Sequence, residues 1–120
     1  RQIGAEAART EWVLFSDADI VFPSGFFSRL PRHFGADCVY GSKLSLDAYR
    51  ASCRGFSYGQ QLLHHAGIPA ASGSNLALGR KALFAVGGFD RDLVCNEDSE
   101  LVWRVKRAGF TVRFAADAPV

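Results

Sequence analysis

Trp12-Val13-Leu14-Phe15-Ser16-Asp17-Ala18-Asp19 is the stretch on which the fold turns. Four consecutive apolar residues without alternation predict a strand covered on both faces, the pattern of a parallel sheet between helices. Asp17 and Asp19 then stand at its carboxyl end, the edge of an open α/β sheet where ligands bind. Upstream, Ala5, Ala7 and Ala8 suit a helix. Downstream, Pro23-Ser24-Gly25 breaks the chain. Phe26, Phe27, Leu30 and Phe34 then recur at helical spacing, with Pro31 limiting the helix. The phenylalanines at 26, 27 and 34 are expected to be packing residues.

Cys38 to Leu44 reads as a second strand and Ser74 to Leu78 as a third. Residues 45–69 are the least legible part, with a short helix expected near Phe56 to Ala66. Arg80 to Val86 predicts a helix stopped by Gly87-Gly88, since glycine readily takes the left-handed conformation that ends a helix. Asn96 is expected to cap a helix from Glu97 to Ala108 with Leu101, Val102, Val105 and Ala108 on its apolar face. Phe110, Val112 and Phe114 alternate with polar residues, as in a strand with one buried face. The fold class is therefore α/β, a mixed, mainly parallel sheet flanked by helices, in one domain over residues 1–120.

The 120 residues are 48% hydrophobic and 22% charged with a net charge of +2, the profile of a soluble globular domain. That balance gives no electrostatic argument for nucleic acid or an anionic membrane as a partner. Apolar runs such as Trp12 to Phe15 fall far below the ~18 residues of a membrane span. Cys38, Cys53 and Cys95 form no CxxC pair, which argues against a disulfide framework or zinc knuckle and predicts buried free thiols in a reducing, cytoplasmic setting. A start at Arg1-Gln2-Ile3-Gly4, with no Met anywhere, reads as a segment of a longer chain.

Two acidic clusters carry the chemistry. Asp17 and Asp19, at i and i+2 across a turn, can approach one hard divalent cation, whose usual partner is a phosphate. The plain alternative is a strand end with turn-forming aspartates. The second cluster is Asn96-Glu97-Asp98-Ser99-Glu100. Carboxylates at a helix start are stabilised by its unpaired amides, and Glu100 with Arg104 makes an i, i+4 pair. Yet five of the twelve acidic residues fall between Asp90 and Glu100, just after Gly87-Gly88. A carboxylate there could take a proton from a substrate hydroxyl. Trp103 reads as core. His64 and His65 point in different directions on a helix, against joint metal ligation. Tyr49, Arg50, Arg54 and Tyr58 suit an acceptor groove or a solvated loop.

The order of these features resembles glycosyltransferase family 2, inverting enzymes of the GT-A fold. Arg1-Gln2-Ile3-Gly4 with Ala7 and Ala8 is similar to the family's Arg-Asn-x-Gly helix, with Gln2 in place of Asn. Trp12 to Asp19 resembles its strand and Asp-x-Asp motif. Gly73-Ser74-Asn75, Arg80 and Gly87-Gly88-Phe89-Asp90 resemble the segment before the acceptor site, and Glu97-Asp98-x-Glu100-Leu101-x-x-Arg104 with Ala108-Gly109-Phe110 its Glu-Asp helix. Residues 45–69 are unmatched.

The resemblance implies a partial GT-A domain without the N-terminal half that binds the nucleotide base, so that these residues alone neither select nor tightly bind a nucleotide. It implies transfer of a sugar from a nucleotide-sugar donor to a glycan, lipid-linked or other hydroxyl acceptor. Asp19 takes the metal role with Mg²⁺ or Mn²⁺, Asp17 contacts the donor ribose or shares the metal, and Asp98 is the general base. Glu97 positions hydroxyls, and Gly87 and Gly88 let backbone approach the sugar. Arg104 is expected to brace its helix. The resemblance leaves room for a homo-oligomer and for a parent held at the cytoplasmic face of a membrane through other segments. Two rival readings are a haloacid dehalogenase-like phosphatase with Asp17 as nucleophile and Asp19 as acid, and a non-catalytic structural or binding fragment.

Overall fold

The computed structural model describes residues 1–44 and 50–120, without the side chains of residues 50, 51 and 53. Its elements are α1 (Gln2–Ala7), β1 (Trp12–Phe15), α2 (Phe26–Arg29) running into a 3-10 turn (Leu30–His33), β2 (Cys38–Tyr40), α3 (Arg50–His65), β3 (Leu76–Gly79), α4 (Arg80–Ala85), α5 (Glu97–Arg107) and β4 (Val112–Phe114). The strands form one mixed sheet in the order β1-β3-β2-β4.

The expected α/β class with a mixed sheet and helices is what the chain adopts, but the pairing is mostly antiparallel. β3 runs antiparallel to both β1 and β2, with Leu76 opposite Phe15 on one side and Tyr40 on the other, and among the described residues only β2 with β4 is a parallel ladder. β1, β2 and β4 point the same way, and the single reversed strand β3 sits between two of them. An apolar run reports burial of both faces, not strand direction, so it could not reveal that reversal.

β1 divides its side chains between two cores. Val13 and Phe15 join Tyr40, Leu76, Leu78, Leu83 and the α5 residues Leu101, Val102 and Val105 on one face of the sheet. Trp12 and Leu14 join Val39, Ala77, Phe26 and Leu30 on the other. Trp12 stacks on Phe34 with ring centroids 3.8 Å apart, which closes the outer side of β1. Among the described residues β1 pairs only with β3, so it lies at the edge of this four-stranded sheet, and of its four residues Phe15 alone is fully buried.

Several local expectations shift. The β2 strand is shorter than Cys38 to Leu44, and α3 is longer than Phe56 to Ala66. Phe27 is 63% exposed and Trp103 42% exposed, so neither is core. Each follows a buried neighbour, Phe26 or Val102, and one residue along a helix turns the side chain about 100° outward. Cys38 is buried and its thiol is pushed far up by desolvation, as expected of a packed cysteine, whereas Cys95 is exposed. Tyr49, the side chain of Arg50 and that of Cys53 lie outside the described residues. Among the described residues no helix is long and apolar enough to cross a membrane.

Candidate active site

Since Phe15 lies opposite Leu76, the chain leaving β1 passes beside the chain entering β3. The second of these is held from beneath by Asn75, which is 1% exposed. Its Nδ2 donates to the carbonyls of Ser42 (3.2 Å) and Ala118 (2.8 Å). Gly41 makes room for that amide, since a Cβ there would lie 2.5 Å from Asn75 Nδ2. The turn above is closed by Asn75 N–H donating to the Ser72 carbonyl at 3.0 Å. Residues 72–74 are thereby fixed against the sheet.

Both acidic clusters converge on this turn. Ser74 Oγ donates to Asp17 Oδ2, and the Gly73 N–H donates to Asp98 Oδ2. The N–H of Ser99 adds a bond to Asp98 Oδ1 at 2.8 Å, and Ser99 Oγ ties α5 to the Ala71 carbonyl at 2.9 Å. Arg1 completes the junction: one guanidinium donates to Asp17 Oδ1 at 2.8 Å and to Glu97 Oε1. Gly73 is needed beneath it, because a Cβ would lie 2.3 Å from Arg1 Cζ. The Ser74 hydroxyl, with lesser help from Arg1 and Lys43 and against partial desolvation, holds Asp17 below the usual carboxylate range.

Asp19 differs from its neighbour. Its side chain is 77% exposed, with Lys43 Nζ 3.9 Å from Oδ2. Among the described residues no group of three or more His, Cys, Asp or Glu is placed to hold a metal ion. Asp19 therefore offers a free, hard oxygen donor at the strand end, and any cation there needs ligands from elsewhere.

The helix bearing Asp98 starts without the expected cap. Asn96 takes a left-handed conformation (φ 57°) and its side chain makes no capping bond. Asn tolerates that region better than most residues, so it serves here as a corner. Glu97, Asp98 and Glu100 in the first turn and Arg104, Lys106 and Arg107 in the last complement the helix dipole. Arg104 braces the helix: it makes a bidentate pair with Glu100 (2.6 and 2.7 Å) and donates to the carbonyls of Val86 (2.6 Å) and Gly88 (2.8 Å). The bond that Arg104 donates to Glu100, partly offset by desolvation, raises the Arg104 pKa above its ordinary value.

Gly87 is exposed, while Gly88 is buried against Gln2. Gln2 Oε1 accepts from the Phe89 N–H at 2.8 Å, so the glutamine standing where the resemblance has asparagine pins the segment leading to α5. A Cβ on Gly88 would lie 2.3 Å from that oxygen, at a φ of +74°. Gly88→Ala is therefore expected to cost about 1–2 kcal/mol and to lower the melting temperature by several degrees. Gly88→Ala with Gln2→Ala relieves the collision but not the backbone strain, so it should recover only part of the loss. Beside this segment a cavity of about 390 Å³ is lined by Arg1, Ile3, Phe89, Leu93, Val94 and Glu97 among others.

The sequence pairs Asp17 with Asp19 and Glu97 with Asp98, and the structure brings Asp17, Glu97 and Asp98 to one place. Arg1 and the bond from Ser74 were missed as site contributors. An arginine at an exposed helix start reads as solvated, and nothing local announces partners 16 and 96 residues away. His64 and His65 diverge, His64 turning to Tyr40 Oη at 3.1 Å. Burial pushes the Tyr40 hydroxyl up to about 12, so it stays protonated.

Two curated relatives align with the chain over 127 residues at 26% identity, the pre-mycofactocin glycosyltransferases of Mycobacterium tuberculosis strains CDC 1551 / Oshkosh and ATCC 25618 / H37Rv. The chain is similar to a glycosyltransferase. The alignment covers 95% of this chain and 27% of each relative, so the chain spans about a quarter of the length of the curated relatives it matches. No protein-family model matches it. A likeness that runs through nearly the whole chain takes in the β1 end, the turn before β3 and the start of α5 together.

Proposed function

We propose that the chain carries the metal-binding and base-bearing part of an inverting family 2 glycosyltransferase domain, the strands that read the nucleotide base lying outside these 120 residues. One observation carries the reading: two acidic clusters about 80 residues apart in sequence, at a strand end and a helix start, meet across the 72–74 turn. The similarity to glycosyltransferases supports it.

The residues at the β1 end fit a hard cation shared with a phosphate. Mg²⁺ takes one or two protein carboxylates and fills the rest of its shell with water and substrate phosphate. Asp19 is the free carboxylate and Asp17 the one already oriented by Ser74 and Arg1. When bound, Mg²⁺ or Mn²⁺ supplies positive charge against the departing diphosphate. Asp98, oriented by two backbone amides, accepts the acceptor's proton as its oxygen forms the new bond to the anomeric carbon. The bond from that carbon to the diphosphate oxygen breaks with its electron pair on the leaving group. A single displacement of this kind needs one base and no covalent nucleophile. Glu97 and the exposed Gly87 stand where they can position the sugar or acceptor.

The phosphatase reading is less well served, because the relatives that the chain resembles are glycosyltransferases. Titrating sugar nucleotides into the full-length protein with and without Mn²⁺ separates the two. Metal-dependent binding of a sugar nucleotide is expected. Binding of none, or an aspartyl-phosphate analogue trapped at Asp17 by beryllofluoride, contradicts the proposal.

A further inference from the structure

The α3 helix faces the wrong way for a soluble surface. Its inward face is polar: Ser57 Oγ shares a hydrogen bond with Ser42 Oγ, Gln60 Nε2 donates to the Ala70 carbonyl at 2.7 Å, and His64 meets Tyr40. Its apolar residues point out, with Phe56 63%, Leu62 54% and Leu63 41% exposed. Gly55 and Gly59 lie between them with nothing within 4 Å of either Cβ position, which leaves a smooth uncharged strip along the helix. An amphipathic helix normally buries its apolar stripe against the core. Here the stripe is presented to whatever lies outside.

The charge on this helix is one-sided. No Asp or Glu occurs in α3, while Arg50 and Arg54 both fall in it. The overall +2 conceals this local imbalance. Exposed aromatic and leucine side chains on a helix whose only formal charges are positive match the anionic headgroup and acyl boundary of a lipid surface. A second copy of the chain fits less well, because Phe56, Leu62 and Leu63 expose on the order of 300 Å², against roughly 800 Å² per partner in a stable interface.

We propose that α3 lies on an anionic membrane surface through Phe56, Leu62 and Leu63, with Arg54 adding electrostatic attraction. The helix lies in the plane of the surface and does not cross it. The proposal does not depend on sugar transfer, since no donor or acceptor enters its test.

The test is co-sedimentation of the full-length protein with vesicles of phosphatidylcholine alone or mixed with phosphatidylglycerol, and hydrogen exchange of α3 in their presence. Binding to the phosphatidylglycerol vesicles that weakens with salt, together with slowed exchange over residues 56–66, is expected. Phe56→Ser with Leu62→Gln, both at exposed positions, should lower the partition coefficient about tenfold or more and abolish the slowed exchange, and Arg54→Gln should lower it about fivefold. Circular dichroism checks that the variants stay folded. Unchanged exchange of α3 on the vesicles, or variants that bind like the parent, overturns the proposal. So does a dimer in sedimentation equilibrium that the same substitutions dissociate while vesicles leave α3 unprotected.

Discussion

Asp98→Asn in the full-length protein is expected to slow sugar transfer, or the donor hydrolysis in which water replaces the acceptor, by about 10²- to 10⁴-fold. Donor binding should be unchanged, because the substitution removes the base and leaves the strand end that holds the diphosphate intact. The structure adds a second effect. Asp98 accepts from two backbone N–H groups, one on each oxygen, whereas an asparagine side chain has only one accepting oxygen. Its amide group must face either Gly73 N–H or Ser99 N–H, a donor against a donor, costing about 1–3 kcal/mol if that N–H stays unpaired. A modest fall in melting temperature should therefore accompany the loss of turnover. Asp98→Asn with near-normal turnover would show that the base lies elsewhere.

Asp19→Ala is expected to weaken metal-dependent donor binding on the order of 10²-fold or more without destabilising the fold. Its side chain is 77% exposed and its recorded partner is Lys43 at 3.9 Å, a contact too long and too solvated to matter for stability. Asp17→Ala should weaken that binding too and, unlike Asp19→Ala, destabilise the junction, because it strips Ser74 and Arg1 of their shared acceptor. Calorimetry with Mn²⁺ and thermal melts on the two variants separate the loss of binding from the loss of stability. The sign of the pH effect follows from Asp17. A carboxylate whose folded pKa is lowered contributes its stabilisation above the ordinary range near 4, and loses it only as pH falls through the lower folded value. Stability from this contact is thus flat from pH 5 to 8.

Much of the fold was legible because the informative residues act locally. Trp12 to Phe15, the helix break at Gly87-Gly88 and the burial of Leu101, Val102 and Val105 on α5 needed only spacing and residue type, whereas Ala108, expected on the same face, lies exposed past the end of the helix. Strand direction was not legible, since β3 reverses between β1 and β2 while burying the same kinds of side chain as its neighbours. Asn96 misled for a related reason: the residue that caps a helix well also turns a left-handed corner well, and only the backbone decides between them. The site was half legible. Each acidic cluster stood out in sequence, but their meeting depends on Gly73, Ser74 and Arg1, whose partners are set by pairing of β1 with β3. The α3 helix escaped because its polar side is the inner one, which reverses the usual reading of an amphipathic pattern.

The most direct test of a single site built from both clusters is a crystal structure of the full-length protein grown with Mn²⁺ and a nucleoside diphosphate, with the manganese located by its anomalous signal. The account predicts a manganese peak at the Asp19 carboxylate and the diphosphate beside the 72–74 turn, on the side of Asp98. A manganese and nucleotide bound away from both clusters, or a phosphate joined covalently to Asp17, would contradict it.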